Sequence, residues 1–358
     1  MSQSSSTRSH GLRGAIAAAT FAVAAAFSFG PQPASAQMTL QATSIFPDAD
    51  FSSKVLLEWV NRVNERTDGR YNVRYHWAGS LVGNRTLDGL SDGVVDIAVQ
   101  FTPYVSGDII DLGVLDIPFS FPLDAEGLTA FHRDVKPYVA NIYAKHGSHV
   151  VAATPIILPN PLTCTDRFLT GPDKWSGAVV RAAGRWQAAS ITAWGGSPVV
   201  ISPAELYSAL DRGTANCALM VYNGVNSMKL YEVAPQITRI DHSIAFGTIN
   251  IAQSTWDRIP EEDRVIMEEV GDEIVAWAAE ATNSMLADVI AEMEAEGAQF
   301  CTPSDEEFAR LVSAANSVID TIRDEVSEDG AAIIRIVDEY RPRVTAKPTI
   351  GPNNPCPQ

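Results

Sequence analysis

Few side chains in this sequence are placed to do chemistry, and the one that asks most of its surroundings is Arg181. It stands in "VVRAAGRW" at 179–186, directly behind Val179 and Val180 of an apolar run that reads as a buried strand. The charge therefore falls at the carboxyl end of a strand, the edge at which open α/β sheets bind ligands. A guanidinium withdrawn from water must find a partner, because an unpaired buried charge costs several kcal/mol. Its planar fork fits a carboxylate bidentately, which lysine cannot match. Two readings are open on these grounds: a ligand carboxylate, or an internal salt bridge to Glu205 or Asp166.

Signatures of other chemistry are missing. The chain has no GxxxxGK[ST] phosphate loop, no GxSxG elbow and no HExxH motif. Ser197 in "GGSP" and Cys217 are isolated nucleophile types, and they read as a turn residue and half of a disulfide. "HGSH" at 146–149 is too short and isolated for a metal site, and no cysteine spacing suggests one. The acidic stretches "PEED" at 260–263 and "SDEE" at 304–307 fall at predicted helix starts, where they complement the helix dipole. We therefore expect no enzyme activity, cofactor or metal. The rival from another class is an exported enzyme on the same scaffold, which would need a base and a nucleophile within hydrogen-bond reach at the cleft.

The elements that must position Arg181 alternate between strand and helix. "MTLQAT" predicts a strand, and the recurrence of Val55, Leu56, Trp59, Val60 and Val63 predicts a helix from Phe51 that Gly69 ends. "YNVRYHW", a short helix through "RTLDGLSDG", and "VVDIAVQF" continue the rhythm, which implies a mostly parallel sheet covered on both faces. "GVLDIPFSFP" at 113–122 breaks it as a packed loop or lobe junction. After the strand "HVVAATPI" it resumes with strands in "PLTCT", "AVVRA", "SPVVIS" and "TANCALM" and helices over Arg185 to Trp194 and "PAELYSALDRG". From Glu261 to about Gln299 an unbroken apolar stripe predicts a helix roughly 50 Å long, more than one small lobe spans, so it should bridge two.

Arg8 and Arg13 ahead of "AIAAATFAVAAAF", with "ASA" at 34–36, predict a secretory signal over 1–36 cleaved after Ala36. The apolar run is shorter than the roughly 20 residues that span a bilayer, and no later run is longer, so we expect a periplasmic protein without stable membrane insertion. Losing the signal removes two arginines and no acid, which takes the net charge from −17 to −19. Such a field argues against nucleic acid or anionic membrane as partners. About 320 residues exceed what one core usually fills, which predicts two lobes. We assign 37–158 with 247–285 to the first, 159–246 with 286–341 to the second, and 342–358 to a loosely ordered tail that only Cys356 could pin. Export permits disulfides, and of the three pairings open to Cys164, Cys217, Cys301 and Cys356 we favour Cys164 with Cys217 and Cys301 with Cys356.

Six segments in order carry a family resemblance: "FSSKVLLEWVNRVNERTDGRYNV", "GSLVGNRTLDGLSDGVVDIAV", "LGVLDIPFSF", "KWSGAVVRAAG", "AELYSALDRG" and "STWDRIPEEDRVIMEE". From about Met38 to about Arg341 the chain resembles a solute-binding protein of the tripartite ATP-independent periplasmic (TRAP) transporters, of the dicarboxylate-binding type. The resemblance implies two α/β lobes with hinge strands and a long bridging helix that close over a small organic anion, with a TRAP membrane permease as partner. It implies that Arg181 binds the solute carboxylate, with Arg167 in "CTDRF" as a second arginine.

The chain departs from its relatives at "ANCALM", where Asn216, Cys217, Leu219 and Met220 replace the usual V-D-G-x-E-N pattern and remove a polar ligand contact. Asn223 and Asn226 are the next polar candidates for that role, or they cap the following helix. Trp186 either walls the pocket or belongs to the core. Gln100, Phe101, Thr102 and Trp77 are the expected contributions of the first lobe, placed by their positions at or beyond strand ends. The altered segment also motivates an alternative solute, a small amine or polyol, with Arg181 held internally.

Overall fold

Strand and helix alternate from the first described residue of the computed structural model, which covers 37–341 and 351–357 apart from 117, 120–121, 123, 156–157, 172–173 and 242–245. The signal expected at 1–36, and residues 342–350 and 358 of the expected tail, lie outside the described residues. The first series comprises β1 (Met38–Thr43), α1 (Phe51–Arg66), β2 (Tyr71–His76), α2 (Thr86–Ser91), β3 (Ile97–Phe101), α3 (Thr102–Val105), α4 (Ile110–Gly113), α5 (Ala125–Ala144) and β4 (Ser148–Thr154). The second comprises β5 (Leu162–Cys164), β6 (Val179–Ala182), α6 (Arg185–Ala193), β7 (Ser197–Val200), α7 (Pro203–Asp211), β8 (Cys217–Leu219), α8 (Tyr222–Ser227) and β9 (Gln236–Thr238). The chain then forms β10 (Gly247–Ala252), α9 (Gln253–Trp256), α10 (Glu261–Ala295), β11 (Gln299–Cys301), α11 (Asp305–Arg323) and α12 (Glu328–Tyr340).

These strands make two sheets, ordered β2-β1-β3-β10-β4 and β11-β9-β5-β8-β6-β7. Each is mixed where the strand-helix rhythm predicts mostly parallel pairing. β10 runs antiparallel to β3 and β4, and β5 antiparallel to β8 and β9. The reason is the crossing. Strands followed by helices end at the edge facing the other lobe, whereas a strand arriving from that lobe must begin there, so Gly247 of β10 pairs with Phe101 and Thr154.

The long helix makes the third crossing. Trp59 of α1 donates its indole N–H to the Met267 carbonyl at 3.3 Å, and Gly271 lies on the Val151 carbonyl of β4 so closely that a Cβ there would overlap it. Towards the other end, Asn226 of α8 donates to Glu292 at 2.8 Å. One apolar cluster runs beneath this helix from Leu40 and Trp59 through Ile274 to Tyr222 and Met293, so the two lobes share a core. The helix stops at Ala295, short of the expected Gln299, and Gly297 at φ 100° turns the chain into β11.

Local chemistry sets several of the boundaries. Asp50 caps α1 by accepting from the Ser52 N–H, and Ser304 and Glu307 form a capping box at the "SDEE" start of α11. The helix α5 was not expected from sequence. It carries Pro137 inside it, yet buries Val135, Val139, Ile142 and Tyr143 along one face. α12 packs back on α5, its Ile333, Ile334 and Val337 sharing one apolar cluster with Phe131 and Val135, whereas the sequence reading places 286–341 in the second lobe.

Two disulfides are present. Cys164–Cys217 ties β5 to β8 at a registered pair, and Cys301–Cys356 ties the end of the chain to β11. Residues 351–357 are thereby fixed: the Thr302 N–H donates to the Asn354 carbonyl, the Cys356 N–H to the Thr302 carbonyl, and Arg239 to the Pro352 carbonyl at 2.6 Å. No helix among the described residues is long and apolar enough to cross a membrane.

His132 of α5 is wholly buried, with Nδ1 2.8 Å from the Leu128 carbonyl and its ring stacked on Phe246 at 4.7 Å. Burial lowers its pKa from 6.5 to about 4, so the fold holds it neutral. Unfolded chain takes up the proton first. The stability this neutrality supplies is complete above pH 6.5 and falls by about 3 kcal/mol as the pH drops towards 4. Urea titrations across that window should show the loss, and His132→Gln should flatten it.

Candidate solute site

β6 lies between β8 and β7, and this order decides the surroundings of Arg181. The side chain is 1% exposed. Its Nε donates to the Ile201 carbonyl at 2.9 Å, just beyond β7, and its Nη1 to the Leu219 carbonyl at 2.9 Å, at the end of β8. Nη1 also lies 3.4 Å from the Met220 sulfur, and Nη2 donates to the Tyr104 hydroxyl of α3 at 3.1 Å, across from the other lobe. All four acceptors are neutral. The carboxylates considered as internal partners are engaged elsewhere: Asp166 pairs with Arg167 at 2.9 Å, and Glu205 accepts from Ser202 at 2.6 Å. Among the described residues no carboxylate pairs with Arg181.

A cavity of about 10 Å³, room for one water, adjoins this guanidinium. Phe46, Phe101, Pro103 and Tyr104 line it from the first lobe, and Asn160, Arg181, Ala183, Gln187, Met220 and Val221 from the second. A wider hollow of about 450 Å³ lies between the start of α11 and residues 353–357, with no lining residue in common. No group of three or more His, Cys, Asp or Glu side chains among the described residues could hold a metal ion.

Of the residues singled out from sequence, the structure brings Arg181 and Phe101 together at this cavity. Gln100 is buried behind it, accepting from the Thr86 hydroxyl at 2.9 Å, and Thr102 donates its backbone N–H to the Phe246 carbonyl at 3.1 Å. Trp77 is half-buried and stacks on Tyr75 at 5.0 Å. Arg167 is half-buried and pairs with its exposed neighbour Asp166. Trp186 is buried under the Arg185 guanidinium and packs on Gly113, where a Cβ would overlap its indole nitrogen.

Asn223 joins the lobes. Its Nδ2 donates to both Asp50 oxygens at 2.8 and 3.0 Å, and its Oδ1 accepts from the Leu158 N–H. Burial pushes the Asp50 carboxyl above its ordinary value, opposed by hydrogen bonds from Ser52, Asn223 and Ser227. Asn226 reaches Glu292 instead.

Sequence reasoning did not single out Tyr104, Asn160, Gln187 or Phe46. Tyr104 lies one turn beyond the strand end at Phe101, so extending the same rule by three residues would have reached it. The role of "ANCALM" was missed for another reason: Leu219 serves Arg181 through its carbonyl, which a comparison of side chains does not register.

Two mixed α/β sheets, joined by crossing segments and one long helix around a buried arginine, define a two-lobed binding protein. The chain belongs to the bacterial extracellular solute-binding proteins, family 7, whose profile matches residues 43–325. A solute-binding protein of Sulfitobacter sp. strain NAS-14.1 is 23% identical over 255 residues, which cover 69% of this chain and 76% of the relative. A crystal structure of a TRAP periplasmic solute-binding protein from Sulfitobacter sp. NAS-14.1, with bound β-D-galacturonate, superposes with a TM-score of 0.76 at 15% identity, covering 85% of this chain and all of that one. The periplasmic ectoine-binding protein of the Halomonas elongata TRAP transporter gives a TM-score of 0.79 at 17% identity, covering 86% of this chain and 100% of that chain. The two-lobed α/β fold expected from sequence is thus shared with solved relatives.

Gly184, between β6 and α6, faces Pro103 so closely that a Cβ would overlap its carbonyl oxygen. Gly184→Ala should hold the lobes apart without disturbing either one. Calorimetric titration should show solute affinity reduced at least about tenfold, with little change in melting temperature.

Proposed function

We propose that the protein is a periplasmic receptor that binds a small organic anion through its carboxylate at Arg181 and delivers it to a TRAP membrane permease, without catalysing a reaction. The observation that carries this reading is the neutral set of partners around a buried guanidinium. Carbonyl and hydroxyl dipoles offset part of the cost of burying the charge, and a ligand carboxylate would offset the rest. The relatives' solutes, galacturonate and ectoine, each carry a carboxylate, which agrees with it.

Binding would proceed by population shift. Nη2 of Arg181 points at Tyr104 of the opposite lobe, so an anion at that edge touches both lobes only when they are closed. In a chain of net charge −19 after loss of the signal, this local positive site would draw an anion that the remaining surface repels. We take 1–36 as the export signal, and the lobes as 37–158 with 247–285 and 159–246 with 286–341, with α12 returning to the first.

Thermal-shift screening against organic acids, amines and polyols tests the solute class: acids should stabilise the protein, and stabilisation by amines or polyols alone would overturn the carboxylate reading. Arg181→Ala should remain folded by circular dichroism and lose at least about 100-fold in acid affinity. Unchanged affinity would remove Arg181 from the site.

A further inference from the structure

The lining around Arg181 bears on which acids the site can take. Nε and Nη1 are held by the Ile201 and Leu219 carbonyls of their own lobe, so the edge left for a ligand is the Nη2 side, where the Tyr104 hydroxyl now accepts. A phenol both donates and accepts. A carboxylate arriving there can take one hydrogen bond from Nη2 and one from Tyr104, which accommodates a single carboxylate.

Most of the remaining lining is apolar, and its two amides are Asn160 and Gln187. Phe46 meets Phe101 edge-on at 5.0 Å, and Phe101 meets Tyr104 edge-on at 6.2 Å. Met220 and Val221 close the opposite side, with the Met220 sulfur against the guanidinium itself. The Gln187 amide oxygen on the same wall already accepts from the Ala183 N–H at 2.8 Å. A second carboxylate or a set of hydroxyls set against Phe46, Phe101 and Met220 would lose hydrogen bonds to water that these walls do not return.

Resting on the carboxylate reading above, we propose that the solute is a monocarboxylate with a compact apolar or aromatic body, and that Phe46, Phe101 and Met220 select it. Calorimetric titration of the mature chain with isovalerate, 3-methyl-2-oxobutanoate and benzoate, against succinate and glucuronate, tests the selection. At least one of the first three should bind about 100-fold more tightly than the last two. Met220→Gln, which adds a polar partner to the wall, should narrow that gap to less than about tenfold. If succinate or glucuronate binds as tightly as any apolar acid, and Arg181→Ala abolishes that binding, the selection proposed here is wrong and the carboxylate reading stands. If none of the five acids binds, the selection is wrong, and the carboxylate reading falls with it where amines or polyols alone stabilise the protein. An unchanged gap in Met220→Gln would remove Met220 from the selecting wall.

Discussion

The burial of a single positive charge organises the interior around β6. A guanidinium at 1% exposure persists only where several acceptors converge on it, and here they come from three separate places: beyond β7, at the end of β8, and on α3 of the other lobe. β6 must therefore lie between β7 and β8, and both neighbours must end at the level at which Arg181 leaves its strand. The third acceptor ties the charge to the relation between the lobes. Separating them would take the Tyr104 hydroxyl from Nη2, so the solvation of Arg181 depends on how the lobes meet.

The rest of the interlobe contact is arranged to fit closely. Gly184 against Pro103 and Gly113 against Trp186 are approaches where a Cβ would collide, so the surfaces meet backbone to backbone or backbone to ring. Asp50 adds a directional element. The same carboxylate caps α1 and receives Asn223 from α8, so the start of a first-lobe helix is read by a second-lobe side chain. The shared apolar cluster under α10 supplies the non-directional part of the attraction.

Much of this fold was legible in the sequence because it rests on short-range pattern. The stripe of α1, the long apolar face of α10, the capping signal at Ser304 and the proline at the first turn of α7 each depend on residues within a few positions of one another. The helix α5 was missed although its buried face has helical spacing, and its interior Pro137 is a residue that normally interrupts helices. The direction of β10 was missed because a strand's own residues do not state from which lobe it enters. At the cavity, the strand-end rule reached two lining residues, Arg181 and Phe101, while Asn223, Asn226 and Trp186 meet Asp50, Glu292 and Gly113.

The sequence by itself determined where a charge interrupts a buried strand and that no motif for phosphate, acyl or metal chemistry accompanies it. Those are local properties, written within a few residues. Only the tertiary structure decided what meets that charge. Tyr104 lies 77 residues before Arg181 and Asp50 lies 173 before Asn223, and three chain crossings bring the members of each pair together. Charge, size and hydrogen-bonding capacity belong to a residue type, whereas partnership belongs to the packing of distant segments, which is settled by the fold as a whole.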